Sequence, residues 1–306
     1  RAAEGHMAQK IRFRYSYKAV LTYLALFAGM VLLNFTMKNF EPFSLALLAA
    51  ALACGFNPLA CAGLYILAGC FGFASGGIPF AVFAVQGALL GGIFLFYERT
   101  RRAMKAELAL YLFLAAALFF WLFGAFVYND YLRAAIVAAV IFIFCFVFIG
   151  AMRCILVRAG KMRLAPDDLV YTAAAAAALG VGLFNCAGSY VYEAVALLGI
   201  LLACGLLRNG NAAFCALVLS LPPAICESVA AAAPQLVVCA EYVLYAALAL
   251  TFLRAGKLPA VLAVFLADVA VRYLTDFYNA ENVAGAFASA AFYLTMLVPL
   301  IPCLLI

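Results

Sequence analysis

The sequence predicts an all-α fold, a polytopic bundle of about 10–12 membrane-spanning helices with both termini in the cytoplasm. Hydrophobic residues make up 70% of its 306 residues and charged residues only 10%, whereas a soluble domain is about 45–50% apolar and about 25% charged. The apolar runs are continuous and do not alternate with polar residues, which excludes a transmembrane β-barrel. The net charge of +6 comes from basic residues between the runs, so we interpret it as membrane orientation and expect no nucleic-acid partner.

The chain divides into a basic cytoplasmic segment, 1–18, and a polytopic membrane domain, 19–306, whose first run is too long for a signal-peptide core. The pair of runs at 42–55 and 57–75 fits either a re-entrant hairpin or two crossings, which leaves ten and twelve as the alternative span counts. The last run ends without an interfacial anchor, so we expect a cytoplasmic region to follow. The runs lie at about 19–37, 42–55, 57–75, 78–97, 106–127, 132–153, 169–185, 188–207, 212–230, 235–253, 258–274 and 283–305.

The topology is predicted from the basic residues. Sixteen of the nineteen lysines and arginines fall on one side of the membrane when the clusters between alternate runs are placed together. Only Lys38, Arg133 and Arg272 lie elsewhere. An excess of Lys and Arg in short loops marks the cytoplasmic side. We therefore predict an even number of crossings in a bacterial inner membrane, with the lipid bilayer as the principal partner.

Motifs for catalysis or metal binding are absent from the sequence. The eleven cysteines form no CxxC pair, and the only histidine is His6. Zinc and haem sites usually need such clusters, so we interpret the thiols as reduced packing residues and expect no cofactor in this chain. Phosphate-binding, nucleophile-elbow and zinc-protease motifs are also missing. No catalytic residue can be assigned, and whether the intact protein is an enzyme stays open.

Several acidic residues lie inside apolar runs, where a charge costs about 2.5–3.5 kcal/mol and suggests a function. Glu227 and Glu241 flank a short loop and could approach each other across a helical hairpin. Pro222 and Pro223 precede Glu227 and are expected to break or kink its helix. A broken helix beside carboxylates is typical of transporter sites. Glu193 lies a few residues from the end of its run, where a side chain can reach the interface.

Other polar or small residues have a structural interpretation. Asp268 and Arg272 are four residues apart, so they can pair on one face of a helix. Gln86 is a single polar residue in a glycine-rich run, and a hydrogen bond between helices explains it. The spacing of Gly87 and Gly91 places both on one helix face, where small residues let two backbones approach closely.

Three segments carry a resemblance to a known family: one begins at Glu41-Pro-Phe-Ser, one begins at Lys161-Met-Arg-Leu, and the third is Arg208-Asn-Gly-Asn. Together they resemble the membrane region of the stage II sporulation protein E family. The stretch Glu41-Pro-Phe-Ser-Leu-Ala-Leu-Leu-Ala-Ala-Ala-Leu follows the first run, as a Pro-Phe-Gly-like entry and an alanine-rich helix do in that family. Lys161-Met-Arg-Leu-Ala-Pro-Asp-Asp-Leu is similar to the family's acidic start of an apolar span. Arg208-Asn-Gly-Asn stands where the family has a glycine-rich passage, and Ser44 stands where it has glycine.

The resemblance implies a membrane anchor with about ten spans, followed by a cytoplasmic linker and a manganese-dependent serine/threonine phosphatase. That phosphatase takes part in signalling by activating the forespore sigma factor at the asymmetric sporulation septum. Self-association into a homo-oligomer and contact with the division protein FtsZ through the linker are implied as well. None of the metal-binding aspartates of the family has a counterpart in this chain, so manganese is implied only for the region beyond it.

Two further functions stay open. A proton- or ion-coupled secondary transporter would use Glu227, Glu241 and Asp268, and its motivation is the acids near two prolines. A membrane enzyme that modifies lipids or envelope precursors would need facing polar residues at one interface. The sequence offers few such residues, and we rank that function last.

Overall fold

The computed structural model of the protein describes residues 17–36, 42–74, 79–99, 131–158, 166–207 and 210–279. Within these ranges the backbone forms ten α-helices and no strand. In chain order they are α1 (Tyr17–Leu33), α2 (Pro42–Ala53), α3 (Pro58–Ala74), α4 (Phe80–Arg99), α5 (Tyr131–Arg158), α6 (Pro166–Ala187), α7 (Ser189–Leu207), α8 (Gly210–Ala231), α9 (Val237–Phe252) and α10 (Lys257–Asn279).

The all-helical class is confirmed for the described residues. Four helices are long and apolar enough to cross a membrane, namely Ala135–Ile155, Asp168–Ala187, Ser189–Leu206 and Asn211–Ala231. Five further apolar helices are shorter. The count of ten to twelve spans and the cytoplasmic termini stay predictions, and the runs at 106–127 and 283–305 lie outside the described residues.

The described residues belong to two compact units, one ending at Gly182 and the other starting at Leu183. In the first unit, α2 is the central helix. Every side chain from Phe43 to Leu52 is buried, and α2 packs against α1, α3 and α5. Its 12 residues span about 18 Å, which is short of the roughly 30 Å hydrocarbon core. This length fits the re-entrant alternative for α2 and α3.

Small residues bring α3 and α4 together in the same unit. A Cβ atom on Gly69 would lie 2.6 Å from Phe83 Cβ, and one on Gly91 would lie 2.8 Å from Ala62 Cβ. An early residue of α3, Ala62, contacts a late residue of α4, Gly91, while the later Gly69 contacts the earlier Phe83. The two helices are therefore antiparallel. Gly87 and Gly91 both face α3, as their spacing predicts.

The second unit is built from α7, α8, α9 and α10, with the last residues of α6 packed beside them. Consecutive helices are joined by short connections and contact each other. The interior mixes aliphatic and aromatic side chains with buried hydroxyl-bearing residues, which include Tyr192, Ser220, Tyr242 and Tyr245. The core residues include Tyr192, Leu197, Ile200, Cys204, Ala216, Tyr245, Ala249 and Val264.

Pro222 and Pro223 do not end α8, which continues as one helix from Gly210 to Ala231 with both prolines inside it, and a kink at the two prolines stays a prediction. Each proline lacks the N–H that would bind the carbonyl four residues earlier. Within a membrane such freed carbonyls can be satisfied by side chains of neighbouring helices. The carbonyl of Leu219 accepts a hydrogen bond of 2.7 Å from the Tyr192 hydroxyl of α7, and this contact compensates for the bond that Pro223 cannot make.

Candidate functional site

A buried carboxylate lies at the contact between α9 and α10. Asp268 is 0% exposed, and its Oδ1 atom accepts a hydrogen bond of 3.3 Å from the Tyr245 hydroxyl. Tyr245 is itself 1% exposed. The two residues therefore join two helices through a polar contact in an apolar surrounding, where an ionisable side chain is expensive to bury.

Two more carboxyl groups lie within electrostatic range of the tyrosines on α9. Glu193 of α7 and Glu241 of α9 both interact with Tyr242, and both also interact with Tyr245. Tyr192 interacts with Tyr242 as well. We call these six residues the tyrosine–carboxylate cluster: Tyr192, Glu193, Glu241, Tyr242, Tyr245 and Asp268.

The local sequence explains how the cluster is assembled. Tyr242 and Tyr245 are three residues apart, so they occupy one face of α9, and their rings lie 6.0 Å apart between centroids. Glu241 precedes Tyr242 directly and is half-buried. Glu193 is in the second turn of α7, next to Tyr192. Helix α7 thus places Tyr192 and Glu193 near the tyrosines of α9, and α9 in turn places Tyr245 against Asp268 of α10.

The structure brings together only part of the site predicted from the sequence. Glu241 and Asp268 both belong to the cluster, whereas Glu227 is exposed near the C-terminal end of α8. The predicted pair of Asp268 with Arg272 stays a prediction, because the Arg272 side chain lies outside the described residues. Glu193, which the sequence suggested as an interfacial residue, is half-buried beside the tyrosines.

The three tyrosines were missed by sequence reasoning. Their hydroxyl groups lie in runs whose overall character is apolar, and tyrosine is counted among hydrophobic residues. The available signal was spacing: Tyr242 and Tyr245 lie on one helix face directly after Glu241. An acid followed by two tyrosines on one face of a membrane helix is the pattern that would have found the cluster.

Gln86 belongs to the first unit and lies apart from this cluster in the chain. Its Oε1 atom accepts a hydrogen bond of 2.7 Å from the Tyr65 hydroxyl. Both residues are 1% exposed, so the bond links α3 to α4 inside the unit. A second polar link in the same unit is the Asn34 amide, whose Nδ2 donates to the carbonyl of Ala68 at 2.8 Å.

Tyr245→Phe is expected to lower the free energy of unfolding by about 1–2 kcal/mol, because it removes a buried hydrogen bond to a carboxyl group. The measurement is the unfolding midpoint of the purified chain in detergent. Tyr171→Phe is the matched control, since Tyr171 is exposed. Equal midpoints for the wild type and Tyr245→Phe would show that the Tyr245–Asp268 contact does not stabilise the unit.

The tyrosine–carboxylate cluster carries three carboxyl groups and three phenol hydroxyl groups. Among the described residues, no group of three or more His, Cys, Asp or Glu side chains could hold a metal ion. Its chemistry is that of hydroxyl and carboxyl groups, which can exchange protons and hydrogen-bond across helices. Comparison with known proteins found no matching family model, no matching curated protein and no matching solved structure.

Proposed function

We propose that this chain is the membrane-embedded anchoring and self-association region of a protein whose activity lies in the cytoplasm. The proposal depends on one observation: buried polar side chains form hydrogen bonds between neighbouring helices of the same unit. Four buried side chains hydrogen-bond another helix of their own unit, and each bond fixes one helix against its neighbour. The pairs are Asn34 with Ala68, Tyr65 with Gln86, Tyr192 with Leu219 and Tyr245 with Asp268.

Hydrogen bonds between helices are expected in a protein whose role is structural, because they hold the helices in one fixed arrangement. Polar bonds between membrane helices fix which helices touch and contribute modestly to stability, about 0.6 kcal/mol on average. A scaffold of this kind holds an attached domain at a defined place in the bilayer. The resemblance to stage II sporulation protein E extends the proposal: the attached activity is a manganese-dependent phosphatase, FtsZ is a partner, and the place is the sporulation septum.

The test is a fusion of a fluorescent protein to the C-terminal end of the chain, expressed in a spore-forming bacterium. We expect enrichment at the asymmetric septum and energy transfer between two differently coloured copies. An unrelated polytopic membrane protein with the same fluorophores is the control. A uniform distribution around the cell membrane would contradict septal anchoring, and absence of energy transfer would contradict self-association.

A second candidate function is proton- or cation-coupled transport, favoured by the full burial of Asp268 beside Tyr245. Ionisable residues inside membrane helices commonly mark ion pathways. Glu193 and Glu241 lie within electrostatic range of the same tyrosine. A proton entering the second unit would find carboxyl and hydroxyl groups from α7, α9 and α10 within the cluster.

Asp268→Asn separates the two functions. For an anchor, we expect vesicles containing the wild-type chain to pass protons no faster than protein-free vesicles, measured with an internal pH-sensitive dye. We also expect Asp268→Asn to keep the septal localisation, because the amide oxygen still accepts the Tyr245 hydroxyl. A wild-type proton flux that Asp268→Asn abolishes would establish transport instead, and Asp168→Asn in the first unit serves as the matched control outside the candidate transport residues.

A further inference from the structure

Two buried amide side chains of the first unit each keep one polar atom without a hydrogen-bond partner. Asn34 directly follows α1 and Gln86 lies in α4, and each is 1% exposed. One atom of each amide is bonded, because Asn34 Nδ2 donates to the Ala68 carbonyl and Gln86 Oε1 accepts from the Tyr65 hydroxyl. Within the described ranges, Asn34 Oδ1 and Gln86 Nε2 have no partner. A ligand that bonded both atoms would therefore stabilise the unit, since an unsatisfied buried polar atom is costly.

The two amides bond neighbouring positions on α3. Their partners, Tyr65 and Ala68, are three residues apart, so they lie on one face of the helix. The Tyr65 ring lies beside the Phe83 ring, with 5.6 Å between centroids. Phe83 in turn lies against Gly69, the residue after Ala68, where an added Cβ atom would be 2.6 Å from Phe83 Cβ. The Tyr65 side chain is thus close to the level of Ala68, and both amides approach the same turn of α3.

The polarity of the two atoms indicates the class of ligand. Asn34 Oδ1 is an acceptor, because the Ala68 carbonyl can only accept and so takes Nδ2 as its donor. Gln86 Nε2 is a donor. A metal cation would leave this N–H unsatisfied, and an anion without a proton could not donate to Asn34 Oδ1. The ligand must therefore both accept and donate hydrogen bonds, and the near-complete burial of both side chains favours the smallest such molecule, water.

We propose that the interior of the first unit contains a site for bound water, which donates to Asn34 Oδ1 and accepts from Gln86 Nε2. Internal waters of globular proteins bind polar groups that would otherwise be unsatisfied, and they are costly to remove. At this site the water links the end of α1 to α4 beside α3, in addition to the direct bonds with Ala68 and Tyr65. The site is independent of whether the chain anchors a cytoplasmic domain or transports an ion.

X-ray radiolytic footprinting of the full chain in lipid nanodiscs tests the proposal. X-rays convert water to hydroxyl radicals, and radicals from an internal water oxidise the side chains next to it. Tyr65 is 1% exposed, so radicals from bulk water do not reach it. We expect oxidation of Tyr65 in the wild type and none of Phe148, which is 2% exposed in the same core cluster. If Tyr65 is oxidised no more than Phe148, the proposal is overturned.

The combined variant Asn34→Leu with Gln86→Leu removes both unsatisfied atoms and is expected to abolish the oxidation of Tyr65. Val85→Leu is the matched control, because Val85 is adjacent in α4 but 40% exposed, and it should keep the wild-type oxidation. Undiminished oxidation in the combined variant contradicts the site. If that variant does not fold, a high-resolution map of the wild type decides. Water density about 3 Å from Asn34 Oδ1 and Gln86 Nε2 supports the site, and no density there overturns it.

Discussion

Replacing Gly182 by alanine is expected to force α1 and α6 apart and to lower the stability of the first unit by about 2–3 kcal/mol. A Cβ atom at this position would overlap the carbonyl oxygen of Leu32 and lie 2.7 Å from its carbonyl carbon. Both are backbone atoms of α1, so no side-chain rotation can relieve the overlap. The two helices must separate, which loses dispersion contacts along their crossing.

Gly150→Ala is the control that isolates this cause. Its Cβ atom would also be crowded, but the crowding atoms belong to the side chain of Tyr171. Tyr171 is 37% exposed, so rotation of its side chain relieves the contacts of the ring, and only the contact with its Cβ atom at 3.0 Å requires a small shift of the helix. We expect Gly150→Ala to lower the thermal unfolding midpoint in detergent much less than Gly182→Ala does. Equal losses for the two variants would show that backbone approach is not what makes Gly182 necessary.

The positions of the helices could be predicted from the sequence because a helix in lipid must satisfy its own backbone. The run at 132–153 became α5, Tyr131–Arg158, and the run at 212–230 became α8, Gly210–Ala231. Helix α5 ends at Arg158, five residues beyond the end of the predicted run, and this difference has a simple cause. Hydropathy ends a run at its first charged residues, whereas arginine is a good helix former and lets the helix continue.

The surroundings of each helix could not be predicted in the same way. Lipid tails are as apolar as leucine, so a helix that faces lipid and one enclosed by protein have the same composition. The central helix α2 illustrates this. Its sequence from Phe43 to Leu52 is apolar on nearly every side, and only the structure shows that all of it is buried in the first unit.

The candidate site was predictable only where a charge interrupts an apolar run. Asp268 and Glu241 stand out for that reason, while Tyr192 and Tyr245 do not. The prolines of α8 show what local sequence can predict: Pro223 has no N–H, so it removes one helical hydrogen bond. Sequence reasoning lacked the tertiary partner, since nothing in the sequence of α8 reveals that Tyr192 of α7 donates to Leu219.

Gly91→Leu is expected to disrupt the packing of α3 on α4 and to cost about 3 kcal/mol, at the upper end of what overpacking usually costs. A Cβ atom on Gly91 would lie 2.8 Å from Ala62 Cβ and 3.6 Å from the Pro58 carbonyl oxygen. Alanine has no rotatable side chain with which to withdraw, so a leucine at 91 can be accommodated only if the helices separate. That separation would also strain the nearby Tyr65–Gln86 hydrogen bond.

The neighbouring residue supplies the control for this prediction. Gly92 lies on the same helix, and a Cβ atom there would meet nothing within 4 Å. Gly92→Leu therefore gains the same helix propensity as Gly91→Leu and adds the same apolar side chain, but without the overlap. We expect Gly92→Leu to keep or slightly raise the unfolding midpoint in detergent, while Gly91→Leu lowers it. If both substitutions lowered the midpoint equally, the close approach of α3 and α4 at Gly91 could not be the cause. A loss confined to Gly91→Leu would establish this glycine as the position that sets the distance between the two helices.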